Sequence, residues 1–478
     1  MPCPEVLILT PSDPENPSFI SLLDRCIERG FYFEFDSRHQ LPLALPSNLD
    51  GYKLIVLDPS LQWIESEPFK TRLSTFAARG GVVAEFVPIE SFRRDLENPF
   101  DNFWDLVSER AALTSHNPRL RSVLSRRDDR QLLESLVGTA LEPSHHRPTL
   151  DLPFESRFCS LGDVGSYWSR RPLLLAAEYL GDQDLVDRIR QLVDVTMATK
   201  VNPPTSLDAI SDARTWLTMH RRTRDERYRE YMKTRIDTVL ERFPRLDGVI
   251  CHRADRNGRL WSDTESWAML APSLVALGIS LGNDAYIAEA VRQLRAAHGR
   301  HYDATTGWWH HGTRDDAVTA AKWGRGQGWA LFGIAGTLEQ LPDSHPDREW
   351  LCARLSECAV SARRDQDEAT GCWHNIVDDP HSGIECSVTA MFVEVFSQAW
   401  KEGWCSLELI PPMVKKAWAG IKAHTFRNRT VSWCPGTGQS TRYRYYLNRP
   451  RVSQPSWIIS ANVRYLEAFG AVPHAPSE

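Results

Sequence analysis

An aspartate stands where a loop becomes a helix in Arg259-Leu-Trp-Ser-Asp-Thr-Glu-Ser-Trp-Ala-Met-Leu-Ala-Pro272, with Trp261 just before it and Trp267 one turn after. Asp263 could cap that helix, because Asp is among the best N-cap residues, or it could move protons; the spacing leaves both open. A second carboxylate, Asp208, lies in Pro203-Pro-Thr-Ser-Leu-Asp-Ala-Ile-Ser-Asp212, another loop that opens a helix, with Asp212 as its rival. Two carboxylates at one mouth perturb each other, so that one keeps its proton near neutral pH. Downstream come Trp308-Trp-His-His-Gly312 and Trp323-Gly-Arg-Gly-Gln-Gly-Trp329. Glycines at such density cost helix stability and let the backbone approach something closely. Arg325 between them could clamp a carboxylate through two parallel hydrogen bonds, or could sit in an ion pair at a structural turn, and Trp329 could stack on a ring. His310 and His311 have no third metal ligand at the usual spacing, so no metal or cofactor is expected and hydrogen bonding to a ligand is. His374 belongs to a further long loop, Asp367-Glu-Ala-Thr-Gly-Cys-Trp-His-Asn-Ile-Val-Asp-Asp379. An acid among aromatic faces, a histidine pair and an arginine between glycines suit a pocket for an acidic sugar.

The elements that must position these residues come in two kinds. Residues 1–120 read as a small α/β module. Glu5–Thr10, Tyr52–Asp58 and Gly81–Val87 are short apolar runs of the buried parallel-strand type, and Ser18–Arg29 and Ser66–Arg79 have helical spacing. Strand, helix, strand in this order implies an open doubly wound, flavodoxin-like sheet. It has no G-x-G-x-x-G, Walker or nucleophile-elbow string, so it reads as an accessory domain. Residues 121–155 are charged and contain Pro and His, as a linker would. Residues 156–478 show only helices, in a degenerate repeat of about 50 residues in which a helix, a short polar turn and a second helix recur. The turns fall at Gly181-Asp182, Arg222–Asp225, Gly282-Asn283, Leu341–Asp347 and Gly403–Ser406, and helical spacing returns at Trp457–Glu467. At the other end of each unit the loops are long and rich in Gly, Trp, His and Asp. Loops of that kind gathered at one end of a closed ring would surround one pocket, so the expected architecture is an (α/α)6 barrel.

The totals set limits on partners. With 478 residues, 42% of them hydrophobic, the chain can bury a large core. A net charge of −6 and a pI near 6.2 exclude nucleic acid and anionic membrane as main partners. Most of the seventeen tryptophans are expected in the core. No apolar stretch approaches the roughly 20 residues that span a bilayer, and the N-terminus lacks a secretory pattern. Ten cysteines without a C-x-x-C fit reduced thiols. A cytoplasmic protein is the expectation, with its oligomeric state left open.

Taken in order, Leu260–Thr264, Thr306–Gly312, Trp323–Trp329, Asp367–His374, Glu385–Phe392 and Gly436-Thr-Gly438 resemble the unsaturated rhamnogalacturonyl hydrolases of glycosyl hydrolase family 105 and their relatives of family 88, the unsaturated glucuronyl hydrolases. The resemblance spans roughly residues 160–470. It implies an (α/α)6 barrel and a metal-free hydrolase that acts on oligosaccharides left by polysaccharide lyases, whose terminal sugar is a 4,5-unsaturated uronic acid. It also implies that Asp263 is the general acid/base, that Asp208 assists, and that His311, Arg325 and Trp329 bind the sugar. Protonating an enol ether requires Asp263 to begin protonated, and the residue pattern itself places Trp261, Trp267 and His374 in the same pocket. A glycosidase of saturated uronates, a barrel that only binds sugar and an epimerase are the alternatives. The α/β module has no place in that pattern.

Overall fold

A computed structural model of the chain describes residues 6–9, 33–36, 54–57, 67–79, 82–85, 128–141, 167–199, 202–254, 260–314, 317–426, 429–433, 450–453 and 456–470. In its N-terminal part, strands β1 (Val6–Leu9), β2 (Phe33–Asp36), β3 (Leu54–Leu57) and β4 (Val82–Glu85) pair in parallel in the order β2–β1–β3–β4. Helix α1 (Glu67–Ala78) lies between β3 and β4 in sequence. Strand β2 was not anticipated, and the helix expected over Ser18–Arg29 lies outside the described residues.

The remaining helices form a double ring. Six inner helices, α3 (Tyr167–Leu180), α5 (Ala213–Thr223), α7 (Glu265–Leu281), α9 (Gly324–Leu338), α11 (Cys386–Lys401) and α13 (Ser456–Phe469), pack each on the next, and α13 returns to α3 to close the circle. Outside them, α4 (Gln183–Thr199), α6 (Glu226–Arg242), α8 (Asp284–His301), α10 (Arg348–Arg364) and α12 (Ile410–Ala423) each pack on the inner helix that precedes them. The side-chain pattern explains which helix goes where. Every residue of α7 from Ser266 to Gly278 is buried, as a helix enclosed on all sides requires. The outer helix α6 buries only Tyr228, Met232, Ile236 and Val239, a single stripe at helical spacing, each worth about 1.5–3 kcal/mol when fully covered. The short turns lie where the repeat places them. Between α7 and α8, Gly282 takes the left-handed conformation (φ 62°) and Asn283 caps α8 by accepting the Ala285 N–H at 3.0 Å.

The sixth outer helix is the largest departure from the sequence reading. Within the segment read as a linker, Asp129–Leu141 forms helix α2 and packs on α13. Leu132, Leu133, Leu136 and Val137 are buried in the barrel core. Asp129 ties the helix down, its carboxylate accepting from Trp418 Nε1 at 2.9 Å and from Lys422 Nζ at 2.7 Å, and its carbonyl from Asn462 Nδ2 at 2.9 Å. The outer partner of the last inner helix therefore comes from the front of the chain. Among the described residues no helix is long and apolar enough to cross a membrane.

The end of the ring with the short turns is held by charge. Glu339, just past α9, pairs with Arg171 of α3 at 2.6 Å, with Arg214 of α5 and with Arg464 of α13. Burial pushes its carboxyl pKa up, but the three guanidinium groups outweigh that and hold it well below the usual range. Glu339→Gln should lower unfolding free energy by about 3 kcal/mol, because it leaves three buried arginines without their shared carboxylate. A urea midpoint equal to that of the unmodified protein would show the network to be dispensable.

Candidate active site

The long loops before α7 and α9 build a small sheet that carries the expected acid. Strand Leu260–Asp263 pairs antiparallel with Gly312–Arg314, so that Asp263 faces Gly312 and Trp261 faces Arg314. On its other side Trp261 faces Arg253, and the His252 N–H donates to the Trp261 carbonyl at 3.1 Å. Gly312 must be glycine here, since a Cβ would come within 2.8 Å of both the Ser262 carbonyl and the Trp261 ring. The Thr264 N–H donates to the His311 carbonyl at 2.8 Å. This register brings His252, Trp261, Asp263 and His311 to the N-terminus of α7.

Asp263 is 1% exposed and caps the start of α7, the first of its two sequence readings. Its Oδ1 accepts from the Ser266 N–H at 2.8 Å and the Ser266 hydroxyl at 2.7 Å, which satisfies the start of α7. Its Oδ2 accepts from Trp261 Nε1 at 2.6 Å and lies 3.7 Å from His252 Nδ1. His252 Nε2 in turn lies 3.5 Å from Oδ2 of Asp208, which is held in a 3-10 turn, Leu207–Ile210, and accepts from the Ser206 hydroxyl at 2.8 Å. Burial pushes the Asp263 pKa up, but His252 and the hydrogen bonds outweigh it and keep the carboxyl well below the usual range. Burial likewise pulls His252 down, and the two carboxylates overcome it, leaving the imidazole well above 6.5. The expectation that Asp263 begins protonated is therefore corrected: Ser266 and Trp261, which donate hydrogen bonds to it, and the charged His252 hold it ionised.

Asp212, the rival of Asp208, is buried elsewhere in an ion pair with Arg170 Nε at 2.6 Å. His311 is fully buried between Trp323 (ring centroids 4.6 Å) and Trp261 (6.2 Å), with Nδ1 2.9 Å from the Thr264 hydroxyl. Burial first, aided by Arg325 and His252 and opposed by Asp263, lowers it to about 4, so the ring is neutral. Its Nε2 is buried with no hydrogen-bond partner among the described residues, a group left open for a ligand. His310 points away, its Nδ1–H donating to the Thr319 carbonyl at 2.7 Å while Lys322 Nζ donates to its Nε2 at 2.7 Å. Arg325, in the first turn of α9, lies over the Trp323 ring at 4.5 Å, partly exposed and near enough to affect His311 and Glu265.

Two expected ligand-stacking tryptophans lie in the wall instead. Trp267 is 3% exposed, edge-on to Trp309 at 5.6 Å and covered by Gly333, where a Cβ would come within 2.7 Å of it. Trp329 is 2% exposed, edge-on to Trp457 at 5.1 Å and Phe332 at 6.0 Å. Trp261 lies beside the carboxylate. His374 lies 3.7 Å from Asp367, with its backbone against Gly324, and makes no hydrogen bond to Asp263 or Asp208.

Two site residues escaped the sequence reading. His252 ends the apolar run Val249-Ile-Cys and looks like a core histidine. Glu265, two residues after Asp263, looks like an ordinary acid in a helix first turn. Glu265 is partly exposed and accepts no hydrogen bond from a described residue; burial and the charges of Asp263 and Asp208, opposed by His252 and Arg325, raise it to about 7. His252, Asp263 and Glu265 offer ligand atoms within 4.8 Å of one another, the only such group among the described residues. Both Asp263 oxygens are already engaged by N–H and O–H donors, so the cluster is better filled for proton transfer than for a metal shell.

Known proteins resemble this chain over its helical part. The family model of Glycosyl Hydrolase Family 88 matches residues 168–466. An unsaturated rhamnogalacturonyl hydrolase of Bacillus subtilis, YesR, is 27% identical over 224 residues, or 45% of this chain and 64% of that relative, so the chain spans less than two thirds of its length. A solved structure described as a possible member of the GH105 family from Klebsiella pneumoniae superposes with a TM-score of 0.61 at 20% identity, over 71% of this chain and 93% of its own. One from Salmonella enterica serovar Paratyphi A does so with a TM-score of 0.61 at 22% identity, over 74% and 97%. At such identities the structural likeness shows the fold, a helical α/α barrel.

Proposed function

The chain belongs to Glycosyl Hydrolase Family 88, and on that premise we propose that it is a glycoside hydrolase that removes a terminal 4,5-unsaturated uronic acid from lyase-generated oligosaccharides. The observation that supports this most is the carboxylate of Asp263, held ionised beside His252 and Asp208 where the long loops meet. The substrate end is an enol ether. Protonation at C4 leaves a cation at C5 shared with the ring oxygen. Water adds at C5 and gives up a proton, the hemiketal opens, and the hemiacetal left at C1 expels the aglycone alcohol. Asp263 takes the proton from water. Asp208 acts through His252 and keeps that imidazole charged. The open Nε2 of His311 and the guanidinium of Arg325 bind the sugar and its carboxylate.

In this reading residues 1–120 form a small α/β accessory domain and the barrel is the catalytic domain, with α2 part of its wall. The described cysteines, all free, fit a reducing compartment, and we place the protein in the cytoplasm. The test is incubation with lyase digests of pectin, ulvan, arabinogalactan and glycosaminoglycans. Ultraviolet absorbance of the C4=C5 bond should disappear with one digest as free aglycone appears. Sugar release at constant absorbance would point to a saturated substrate, and calorimetric binding without turnover to a sugar-binding barrel; either result rejects the hydration.

A further inference from the structure

The hairpin after α10 brings two cysteines together. Its strands pair Trp373 with Glu385 and His374 with Ile384, and the same register carried one residue on sets Cys372 opposite Cys386, the first residue of α11. The Asn375 N–H donates to the Gly383 carbonyl at 2.8 Å, so the alternation along the ladder makes Cys372 and Cys386 a non-hydrogen-bonded pair. Such pairs hold their α-carbons about 4.5 Å apart with the side chains closest, inside the span that a disulfide bridges. Both thiols are reduced and buried, and a hydrogen bond joins them. A base stands beside them. Gly420 of α12 lets that helix close on the Cys372 sulfur, since a Cβ there would come within 2.7 Å of Sγ. One turn on, the His424 Nδ1–H donates to the Gly420 carbonyl at 2.8 Å, which leaves Nε2 for the hydrogen bond that this ring makes with Cys372. The Cys386 bond first, and His424 after it, outweigh burial and hold the Cys372 thiol well below its ordinary pKa. We propose that Cys372 and Cys386 form a reversible disulfide site, in which a hydroperoxide oxidises Cys372 and Cys386 closes the bond.

This site is independent of the glycoside chemistry. Its steps balance. Nε2 of His424 takes the Cys372 proton, and the thiolate sulfur attacks one peroxide oxygen as the O–O bond breaks. The departing hydroxide takes that proton from His424 and leaves as water, with Cys372 now a sulfenic acid. The Cys386 sulfur then attacks the Cys372 sulfur, the S–O bond breaks, and hydroxide leaves as water with the Cys386 proton. The peroxide is reduced and the two thiols are oxidised. Burial selects a small oxidant, and hydrogen peroxide is little larger than water. A metal ion is the poorer occupant, because the one group of three ligand atoms close enough for it among the described residues lies at Asp263. The bond would close a loop that reaches the active-site wall. Between the cysteines, the Asn375 carbonyl accepts from the Gly324 N–H at 2.7 Å and its Oδ1 from Trp323 Nε1 at 3.1 Å, while the Val377 N–H donates to the Lys322 carbonyl at 3.0 Å. The start of α9, which carries Arg325, is thus held by the segment that the disulfide would pin to α11.

The test treats the reduced, folded protein with hydrogen peroxide and maps its peptides by mass spectrometry without reductant. A cross-linked peptide joining Cys372 to Cys386 should appear, lighter by both thiol hydrogens, and dithiothreitol should reverse it. The oxidised protein should unfold in urea with an equilibrium constant roughly a hundredfold smaller, as closure of a loop of this length implies. C372S should give neither the cross-link nor the gain in urea. C386S should stop at the sulfenic acid of Cys372, which dimedone traps. Thiols that stay reduced in the folded protein and react only once urea has unfolded it would show the pair to be core packing and nothing more. Oxidation of Cys372 to the sulfinic acid without a bond to Cys386, or a cross-link to a different cysteine, would overturn the site. Dimedone trapping at Cys386 in C372S, with none at Cys372 in C386S, would overturn the assigned order of attack.

Discussion

Asp263→Asn should lower kcat roughly 10³–10⁴-fold on an unsaturated uronyl oligosaccharide while KM moves little. The size follows from losing a positioned base and the charge that orients its neighbours at once. Asparagine has nearly the shape of aspartate, and its carbonyl can still accept from Ser266 as Oδ1 does now. Its NH₂ group would then face Trp261 Nε1, which now donates to Oδ2 at 2.6 Å, and two donors would meet. His252 would keep only Asp208 as a charged partner, 3.5 Å away, and its raised pKa should fall. The stability that a raised histidine contributes is present below about pH 6.5 and is lost as pH rises through its folded value. The variant should therefore be destabilised more at pH 6 than above the folded pKa of His252. Steady-state rates with thermal unfolding at two pH values separate these effects. A variant with a rate close to that of the unmodified protein would falsify the assignment of Asp263 as the base.

How much of this was legible in the chain depends on whether the signal was local. The inner and outer helices announce themselves by burial pattern, and polar turns such as Gly282-Asn283 mark their junctions. Helix α2 did not, because its partner α13 is more than 300 positions away and its first residues are charged. Asp263 was visible because one string contains the strand end, the acid and the helix start. His252 was invisible for the converse reason: only the pairing of its strand with Trp261 brings it to Asp263. Trp267 and Trp329 had the right spacing on the wrong side, since a motif fixes position along a helix and packing fixes which way the side chain turns. Glu265 lay inside the quoted motif, but its raised proton affinity comes first from burial and then from the charges of Asp263 and of Asp208, the latter supplied by another repeat.

Gly326→Ala should be the second severe substitution, although it adds one methyl group and touches no proton. In an exposed helix such a change stabilises by up to about 1 kcal/mol, because alanine is the better helix former. At Gly326 the new Cβ would stand 2.7 Å from His311 Nδ1, 3.1 Å from its Cγ and 3.2 Å from its Cβ. The whole imidazole would have to move by several tenths of an ångström, and it has nowhere to go. Thr264 holds Nδ1 at 2.9 Å, Trp323 meets the ring edge-on at 4.6 Å, and the residue is fully buried. Overpacking of this kind costs about 1–3 kcal/mol, which exceeds the helix gain. The larger loss should be catalytic. Displacing His311 shifts its free Nε2 and disturbs the neighbouring Arg325, and misplacement approaching 1 Å costs about 10²-fold in kcat/KM. Gly299→Ala on α8 is the control, because a Cβ there meets nothing within 4 Å; it should raise the urea midpoint and leave the rate alone. Should Gly326→Ala behave like Gly299→Ala, His311 is not held where the sugar needs it, and the close approach of α9 to that ring has no bearing on the reaction.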